Sequence, residues 1–430
     1  MRIALLALGT RGDVHPIVAL GAELRRRGHS VVLGLSTNLV GTAHKLGLDA
    51  VPIGWDTQRL LESAEGQQWV RSGDAESFTG RMYEITDQYS EQLDTETIEV
   101  CEGADAIVAN VLLENRAVAL GEAWHVPVII QDCFPRRANG VVPHPLITTE
   151  PLPTEGKNRA TYRQFERLNW QHMRGPAERF RTRLGLPLGP PRPVPPTSPR
   201  RPLELQTYSG AMFPGLSFDE FRPMVGDLRF SREDLAASGT DSMDPDLMAW
   251  LDAGTPPAFL TFGSTFAEDQ PAMLASIGRV CRELGVRAIV ATGWGLSGPT
   301  SSPDPDVRLV SYVEYDVVLP RCALVVHHGS ASITASGVRA GIPTMVCSSF
   351  FDQPFWGEQV ARLGIGTHVR FHQLDEDVLR DGMRRLLTDP VRERAAALGR
   401  AVRAERDGTP AAADELESYV ARYAAEVDGR

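Results

Sequence analysis

Val325-Val326-His327-His328-Gly329-Ser330-Ala331-Ser332-Ile333-Thr334 is the stretch whose reading decides the fold. It closes a short apolar run, Cys322 to Val326, and after Gly329 it changes to the small and hydroxyl residues of a turn that feeds a helix. The reading is strand, tight turn, helix start. Such a junction suits an anion, because the first amides of a helix lack partners and the positive end of its dipole lies there. Ser330, Ser332 and Thr334 add hydroxyl donors, and His328 adds a further donor or a positive charge. Gly341 and Pro343 are placed to stop the helix. Thr344 to Cys347 then returns as a buried strand, and Asp352-Gln353 follows as the polar end of a pocket.

Outward from this stretch, strands and helices alternate. Arg2 to Leu8 is an apolar strand, and Pro16 to Arg27 a helix with Ile17, Leu20 and Leu24 on one face, Pro16 in its first turn and Gly28 at its end. Ser30 to Leu35, a short helix from Leu39 to Leu46, and Ala50 to Ile53 complete a βαβαβ series, hence a parallel sheet with helices on both faces. Mostly helical sequence from Asp56 to Cys101 leads to two short strands, Ala106 to Ala109 and Pro127 to Ile130. A charged helical stretch from Arg159 to Leu184 follows, and residues 187 to 202, rich in proline and arginine, read as a solvated loop. A second series opens at Phe259 to Phe262 and continues with a helix from Pro271 to Leu284, strands at Ala288 to Ala291 and Val307 to Val310, and the opening stretch. The final helix, Ala411 to Tyr423, has no evident partner.

Composition bounds what this chain can serve. Its 430 residues exceed the roughly 250 to 300 at which one core stops growing, so two domains are expected. With 42% hydrophobic and 23% charged residues it is an ordinary globular chain. A net charge of -11 argues against nucleic acid or an anionic membrane as the main partner. Five scattered cysteines, with no paired spacing for zinc or a redox motif, suit a reducing cytosol. Ile3 to Leu8 lacks a cleavage site, and no apolar run approaches the roughly 20 residues that cross a bilayer. A soluble, cytoplasmic protein is expected, monomer or homodimer, without integral membrane association.

The expected fold class is α/β: two doubly wound domains, 1–220 and 221–430 with the boundary between about Pro214 and Ser231, facing a central cleft. Open α/β sheets bind ligands at the carboxyl ends of their strands. The first strand delivers Gly9-Thr10-Arg11-Gly12-Asp13-Val14-His15-Pro16 there, and the second domain delivers Phe262-Gly263-Ser264, Thr292-Gly293-Trp294 and the opening stretch. One side offers an acid or base; the other offers a phosphate site, an aromatic surface and a polar end.

These residues resemble the family 1 inverting glycosyltransferases of the GT-B fold, most closely the bacterial natural-product and sterol-type branch. The resemblance rests on GTRGDVHPIVALGAELRRRGH near the start, LTFGS at 260–264, TGW at 292–294, LPRCALVVHHGSAS, RAGIPT and FFDQPFWGEQVARLGIG. It implies two Rossmann-like domains, with the C-terminal helix free to cross back to the first. It also implies that residues 1–220 bind the acceptor and 221–430 a nucleotide sugar, dTDP- or UDP-linked, which is a co-substrate, so that no cofactor and no metal is needed. Asp13 falls where this branch places its general base. His328 and the amides of Gly329, Ser330, Ala331 and Ser332 fall on the pyrophosphate clamp, with Thr10 and Ser264 on the donor side. Trp294 and Val313 fall where the family holds the base and ribose, and Asp352 and Gln353 where it reads sugar hydroxyls. The implied reaction is hexosyl or deoxyhexosyl transfer, with inversion, to a hydroxyl of a small hydrophobic acceptor, as in antibiotic and other secondary metabolism. Trp55, Trp69, Phe78, Tyr83, Phe134, Phe165 and Trp170 are candidates to line the acceptor.

Two departures stand out. Where the family usually has Gly then Thr this chain has Ser332-Ile333, so an expected phosphate hydroxyl becomes apolar, with Thr334 or Ser332 available to supply it. His15 stands where relatives commonly have Glu or Gln, and could tune or share the base role of Asp13 as an auxiliary base. Plainer roles compete. Asp13 could cap the helix that holds Pro16, but as N-cap its N3 amide would be the proline's, which has none, and only the His15 amide would be left to donate. His327, next to His328 on a strand, reads as packed structure. The alternatives in function are a sterol or lipid glucosyltransferase, or a non-catalytic nucleotide-sugar-binding helper on the same scaffold.

Overall fold

The computed structural model describes residues 1–72, 75–189, 200–237, 244–263, 270–293 and 304–428. Two six-stranded parallel sheets organise them. The first contains β1 (Arg2–Ala7), β2 (Ser30–Ser36), β3 (Asp49–Ile53), β4 (Ala106–Asn110), β5 (Val128–Asp132) and β6 (Leu203–Gln206), in the order β3-β2-β1-β4-β5-β6. The second contains β7 (Ala258–Thr261), β8 (Ala288–Ala291), β9 (Val307–Val310), β10 (Leu324–His327), β11 (Thr344–Ser348) and β12 (Gly366–Arg370), in the order β12-β11-β10-β7-β8-β9. Counted from its own first strand, each sheet has the doubly wound order 3-2-1-4-5-6. Continuous apolar runs such as Ile3 to Ala7 and Leu324 to Val326 are fully buried, as strands covered by helices on both faces must be. The fold is the expected pair of α/β units. The edge strands β6 and β12 escape a reading by periodicity because each is short and polar at alternate positions.

One compact unit comprises Met1–Thr57, Gly80–Gly239 and Arg406–Arg430, the other Gln58–Thr79 and Thr240–Glu405. The expected domain boundary near 220 therefore falls inside the first unit. The cause is local: Gln206 at the end of β6 bridges Met224 in parallel, its N–H donating to Pro223 O at 2.9 Å and its O accepting from Val225 N at 3.0 Å. The chain is thus strapped to the first sheet beyond residue 220. Four residues later the Arg229 amide donates to Thr409 Oγ1 at 2.8 Å, and the Thr409 hydroxyl donates back to Arg229 O at 2.8 Å.

The final helix, Gly408–Asp428, does have a partner. It packs on α1 (Arg11–Arg26) and on β6, and Ala412, Leu416 and Tyr419 along it are buried. At the end of α1, Arg27 bonds Glu23, Asp414 and Glu417, and His29 also reaches Glu417. Helix α1 itself starts five residues before the expected Pro16. Thr10 is its N-cap and Asp13 its third residue, and the Asp13 carboxylate accepts from the Thr10 amide, the acidic half of a capping box. Pro16 consequently lies in the second turn, where it withholds the donor that the Gly12 carbonyl would otherwise receive.

Candidate functional site

In each unit the quoted stretch lies at the place where the strand order reverses. β1 and β4 are neighbours in the first sheet and β7 and β10 in the second, and loops leaving the carboxyl ends of such strands are where open α/β sheets bind ligands.

In the first unit that loop is Leu8-Gly9-Thr10. Ser36 Oγ accepts from Gly9 N–H at 2.9 Å and donates to Gly9 O at 3.1 Å, while Asn110 Nδ2 donates to Leu8 O at 2.7 Å. Gly9 has φ 122, and a Cβ there would be 2.4 Å from Asp13 Oδ2. Only glycine gives Asp13 its place. The same Oδ2 accepts from the Thr10 amide at 2.8 Å and its hydroxyl at 3.1 Å, so Oδ1 is left out of both bonds. Burial raises the Asp13 carboxyl above its ordinary 3.8, against the opposing pull of the Thr10 bonds. A carboxylate so held is a stronger base than an ordinary aspartate.

His15 does not join Asp13. Residues two apart on a helix are turned about 200° from each other, and the His15 ring packs edge-on against Phe230, with centroids 5.4 Å apart. Burial, reinforced by the Arg11 charge, lowers its pKa to about 4.

In the second unit the strand, turn and helix start are as read: β10 ends at His327, and the helix Ala331–Ala340 begins after an N-cap Ser330 whose side chain makes no capping bond. Among the described residues the first paired amide of the helix is that of Thr334, to Ser330 O, and no side chain caps the first turn. His327 is wholly buried and its Nδ1 accepts from Gly329 N–H at 2.9 Å. That bond removes the Gly329 amide from the donors expected of the clamp. His328 packs against Gly263, where a Cβ would be 2.6 Å from its Cε1. Burial lowers the His328 pKa to about 4, the Thr261 backbone pulling the other way, which favours the neutral ring over the positive charge that the sequence also allowed.

The Ser332-Ile333 departure resolves by direction. Ile333 is wholly buried in the core with Leu247, Phe259, Val318 and Val325, and never faced an anion. Thr334 is buried as well, and its hydroxyl donates to Ser330 O at 2.7 Å. Of the two hydroxyls offered as substitutes, Ser332 alone remains, half-buried in the first turn.

Gln353 lies directly against this turn, since a Cβ on Gly329 would be 3.1 Å from Gln353 O. Its Oε1 accepts from the Ser349 and Phe350 amides at 2.9 and 3.3 Å, which bends the loop and turns the amide nitrogen away from these bonds. Asp352 is the N-cap residue of the helix Gln353–Arg362, and its Oδ2 accepts from Trp356 Nε1 at 2.9 Å. Val313 is buried in the core beside Val318 and Leu319, so its side chain serves packing. Ser264 and Trp294 lie outside the described residues.

Of the acceptor candidates, Phe134 and Trp55 are core, and the side chains of Trp69 and Phe78 lie outside the described ones. Tyr83 and Phe165 are half-buried. Tyr83 stacks on His172 with centroids 4.7 Å apart and donates to Asn169 Oδ1 at 2.7 Å, and Phe165 stacks on His144 at 3.8 Å. At the carboxyl end of the first sheet, sequence reading missed a buried ionic network: Arg136 and Arg137 both pair with Asp132 and with Glu114. Burial pushes Glu114 up, but Arg136 and Arg137 outweigh it and hold the carboxyl down at about 2. The Arg136-Arg137 pair just past β5 was the available signal. Among the described residues, no group of three or more His, Cys, Asp or Glu is arranged for a metal ion, and no helix is long and apolar enough to cross a membrane.

Residues 3–143 match the glycosyltransferase family 28 N-terminal domain, and residues 272–418 match the C-terminal domain of the erythromycin biosynthesis protein CIII-like family. An uncharacterized glycosyltransferase of Mycobacterium tuberculosis is 32% identical over 98% of this chain and all of its own length. O-mycaminosyltylonolide 6-deoxyallosyltransferase of Streptomyces fradiae is 30% identical over 94% of each chain. A sterol 3-beta-glucosyltransferase of Arabidopsis thaliana is 30% identical over 96% of this chain and 64% of that protein. The solved structure of the kitacinnamycin glycosyltransferase matches with a TM-score of 0.69 at 21% identity, covering 97% of this chain and 98% of that one.

Proposed function

The chain belongs to the GT-B glycosyltransferases of the natural-product type, and from that premise we propose that it moves a sugar, with inversion, from a nucleoside-diphosphate sugar to a hydroxyl of a small hydrophobic acceptor. The observation that carries this reading is the uncapped first turn of the helix Ala331–Ala340, flanked by neutral His328 and lying against Gln353. Diphosphate oxygens would accept from the amides of Ala331 and Ser332, the Ser330 and Ser332 hydroxyls and His328, while Asp352 and Gln353 read the sugar. Negative charge grows on the leaving diphosphate as the bond to C1 breaks. Fixed donors and the helix dipole stabilise that charge where it develops.

On the acceptor side, Asp13 takes the proton of the attacking hydroxyl. Thr10 holds one carboxylate oxygen in place and leaves the other for the acceptor. The acceptor would rest on the first unit, where the stacked pairs Tyr83–His172 and Phe165–His144 offer flat apolar surface. The donor is a co-substrate bound and released in each turnover, and no resident cofactor takes part. The relatives named for O-mycaminosyltylonolide and for sterols are both 30% identical to this chain, so both classes belong in an acceptor panel.

The test is to incubate the protein with dTDP- and UDP-linked sugars and a panel of macrolactone, polyphenol and sterol acceptors, and to measure nucleoside diphosphate release. Release that depends on acceptor is expected. Release at the same rate without acceptor for every donor, or none with any pair, would count against the reading.

A further inference from the structure

Ser348 and His368, which have no role in the donor contacts above, tie down the loop that carries Asp352 and Gln353. Ser348 is the last residue of β11, and its Oγ is 2.7 Å from Nε2 of His368 on β12. Nδ1 of the same ring is 2.8 Å from Oε1 of Glu358. The connectivity is hydroxyl, imidazole, carboxylate. Because an ionised carboxylate only accepts, Nδ1 carries the proton and Nε2 accepts from the Ser348 hydroxyl. A nucleophilic role fails on access: Ser348 has 0% exposure, so no substrate carbon reaches its Oγ.

The ring instead joins the first end of the loop to the helix that follows it. The chain leaves the second sheet at Ser348 and enters the next helix at Gln353, and His368 bonds the first end while it packs on that helix. A Cβ at Gly357 would be 2.3 Å from the His368 Cδ2. Between these ends Phe351 has φ 55, a left-handed conformation that a bulky residue holds only where its surroundings enforce it. β12 supplies a second tie, since Arg370 Nη1 donates to Ser349 O at 3.3 Å.

We propose that His368 is a positioning residue for the donor sugar: by linking Ser348 to Glu358 it fixes the loop in the shape that presents Asp352 and Gln353 to sugar hydroxyls. This rests on the reading of that loop as the sugar end of the donor site. It separates two functions within one unit, with the nucleotide held by the turn after β10 and the sugar read by a loop whose shape depends on β12.

The test uses the full-length protein and measures Kd for UDP, UDP-glucose, dTDP and dTDP-glucose by calorimetry, alongside the unfolding temperature. His368→Phe keeps a ring over Gly357 and removes both hydrogen bonds. It is expected to raise the nucleotide-sugar Kd about tenfold or more while the free nucleotide Kd stays within about twofold. Ser348→Ala, which removes one atom, should move the same ratio in the same direction. His368→Gln, with one donor and one acceptor, should recover part of the loss. A purely structural role would weaken nucleotide and nucleotide sugar together, and either that result or no change in the ratio overturns the proposal. If the wild type binds none of the four ligands, the donor reading fails before any variant is made, and the inference falls with it.

Discussion

Asp13→Asn separates catalysis from folding at the residue on which the account turns. Asn keeps a carbonyl oxygen where Oδ2 accepts from the Thr10 amide at 2.8 Å, so the start of α1 remains capped. What it loses is the ability to take a proton. Loss of a positioned general base typically costs about 10² to 10⁴ in rate, which corresponds to roughly 2.7 to 5.5 kcal/mol of transition-state stabilisation. Stability should behave differently. Because burial raises the Asp13 pKa above 3.8, the native state holds its proton more tightly than the unfolded chain. That contribution is fully present below 3.8 and is lost as pH rises through the raised value. At neutral pH the ionised carboxylate is therefore a burden on the fold that Asn lifts, and the variant should unfold no earlier than the wild type. Asp13→Ala, which removes the acceptor altogether, should lose the cap as well, about 1 kcal/mol. The assay is kcat/KM against pH, with urea unfolding of all three proteins. Wild-type kcat/KM should fall on the acid side at a pH above that of an ordinary aspartate, and this limb should be absent from any residual Asn activity. Turnover of Asp13→Asn within about threefold of wild type would refute the base assignment, because no base catalysis worth the name is that small.

Other consequences follow from the same geometry. Ile333→Thr, which restores the residue common in the family, should leave nucleotide affinity unchanged and lower stability by about 1 to 3 kcal/mol, because the new hydroxyl would enter an apolar core; calorimetry and urea unfolding check both. Gly9→Ala should lower kcat while sparing nucleotide affinity, since its Cβ would displace Asp13 Oδ2 and since φ 122 disfavours any side chain. His15 and His328, both lowered from 6.5 to about 4, are neutral in the native state where the unfolded chain takes up protons. Their contribution is intact above 6.5 and is lost as pH falls from there toward 4. Unfolding temperatures measured across that window should fall, and less steeply in His15→Gln.

Much of this was legible in the sequence, because strand runs such as Ile3 to Leu8 and Leu324 to Val326 must be buried on both faces and a glycine-rich turn after them can feed only a helix. The start of α1 was misread for a local reason. Proline at position 16 looks like a helix beginning, and a capping box in which Asp13 serves as its third residue has no signature stronger than that proline. Ser332-Ile333 looked like a lost phosphate contact because linear order does not say which side of a first turn faces the core. Residues 221–237 were assigned to the second domain by position along the chain, whereas long-range bonds such as Arg229 to Thr409 decide where they belong; the crossing of the final helix back to the first unit, which the resemblance allowed, is held by bonds such as Arg27 to Asp414. The Ser348–His368–Glu358 link is invisible in sequence because it joins two strands and a helix through an edge strand too short to recognise.

The proposed reaction is a single displacement with Asp13 as base and the turn after β10 as diphosphate clamp. Its most direct test is the anomeric configuration of the product, read from the proton coupling at C1 when an α-linked nucleotide sugar is turned over with a productive acceptor. The account predicts a β-linked product and one nucleoside diphosphate released per bond formed. An α-linked product would contradict it, because a single displacement at C1 inverts the configuration there.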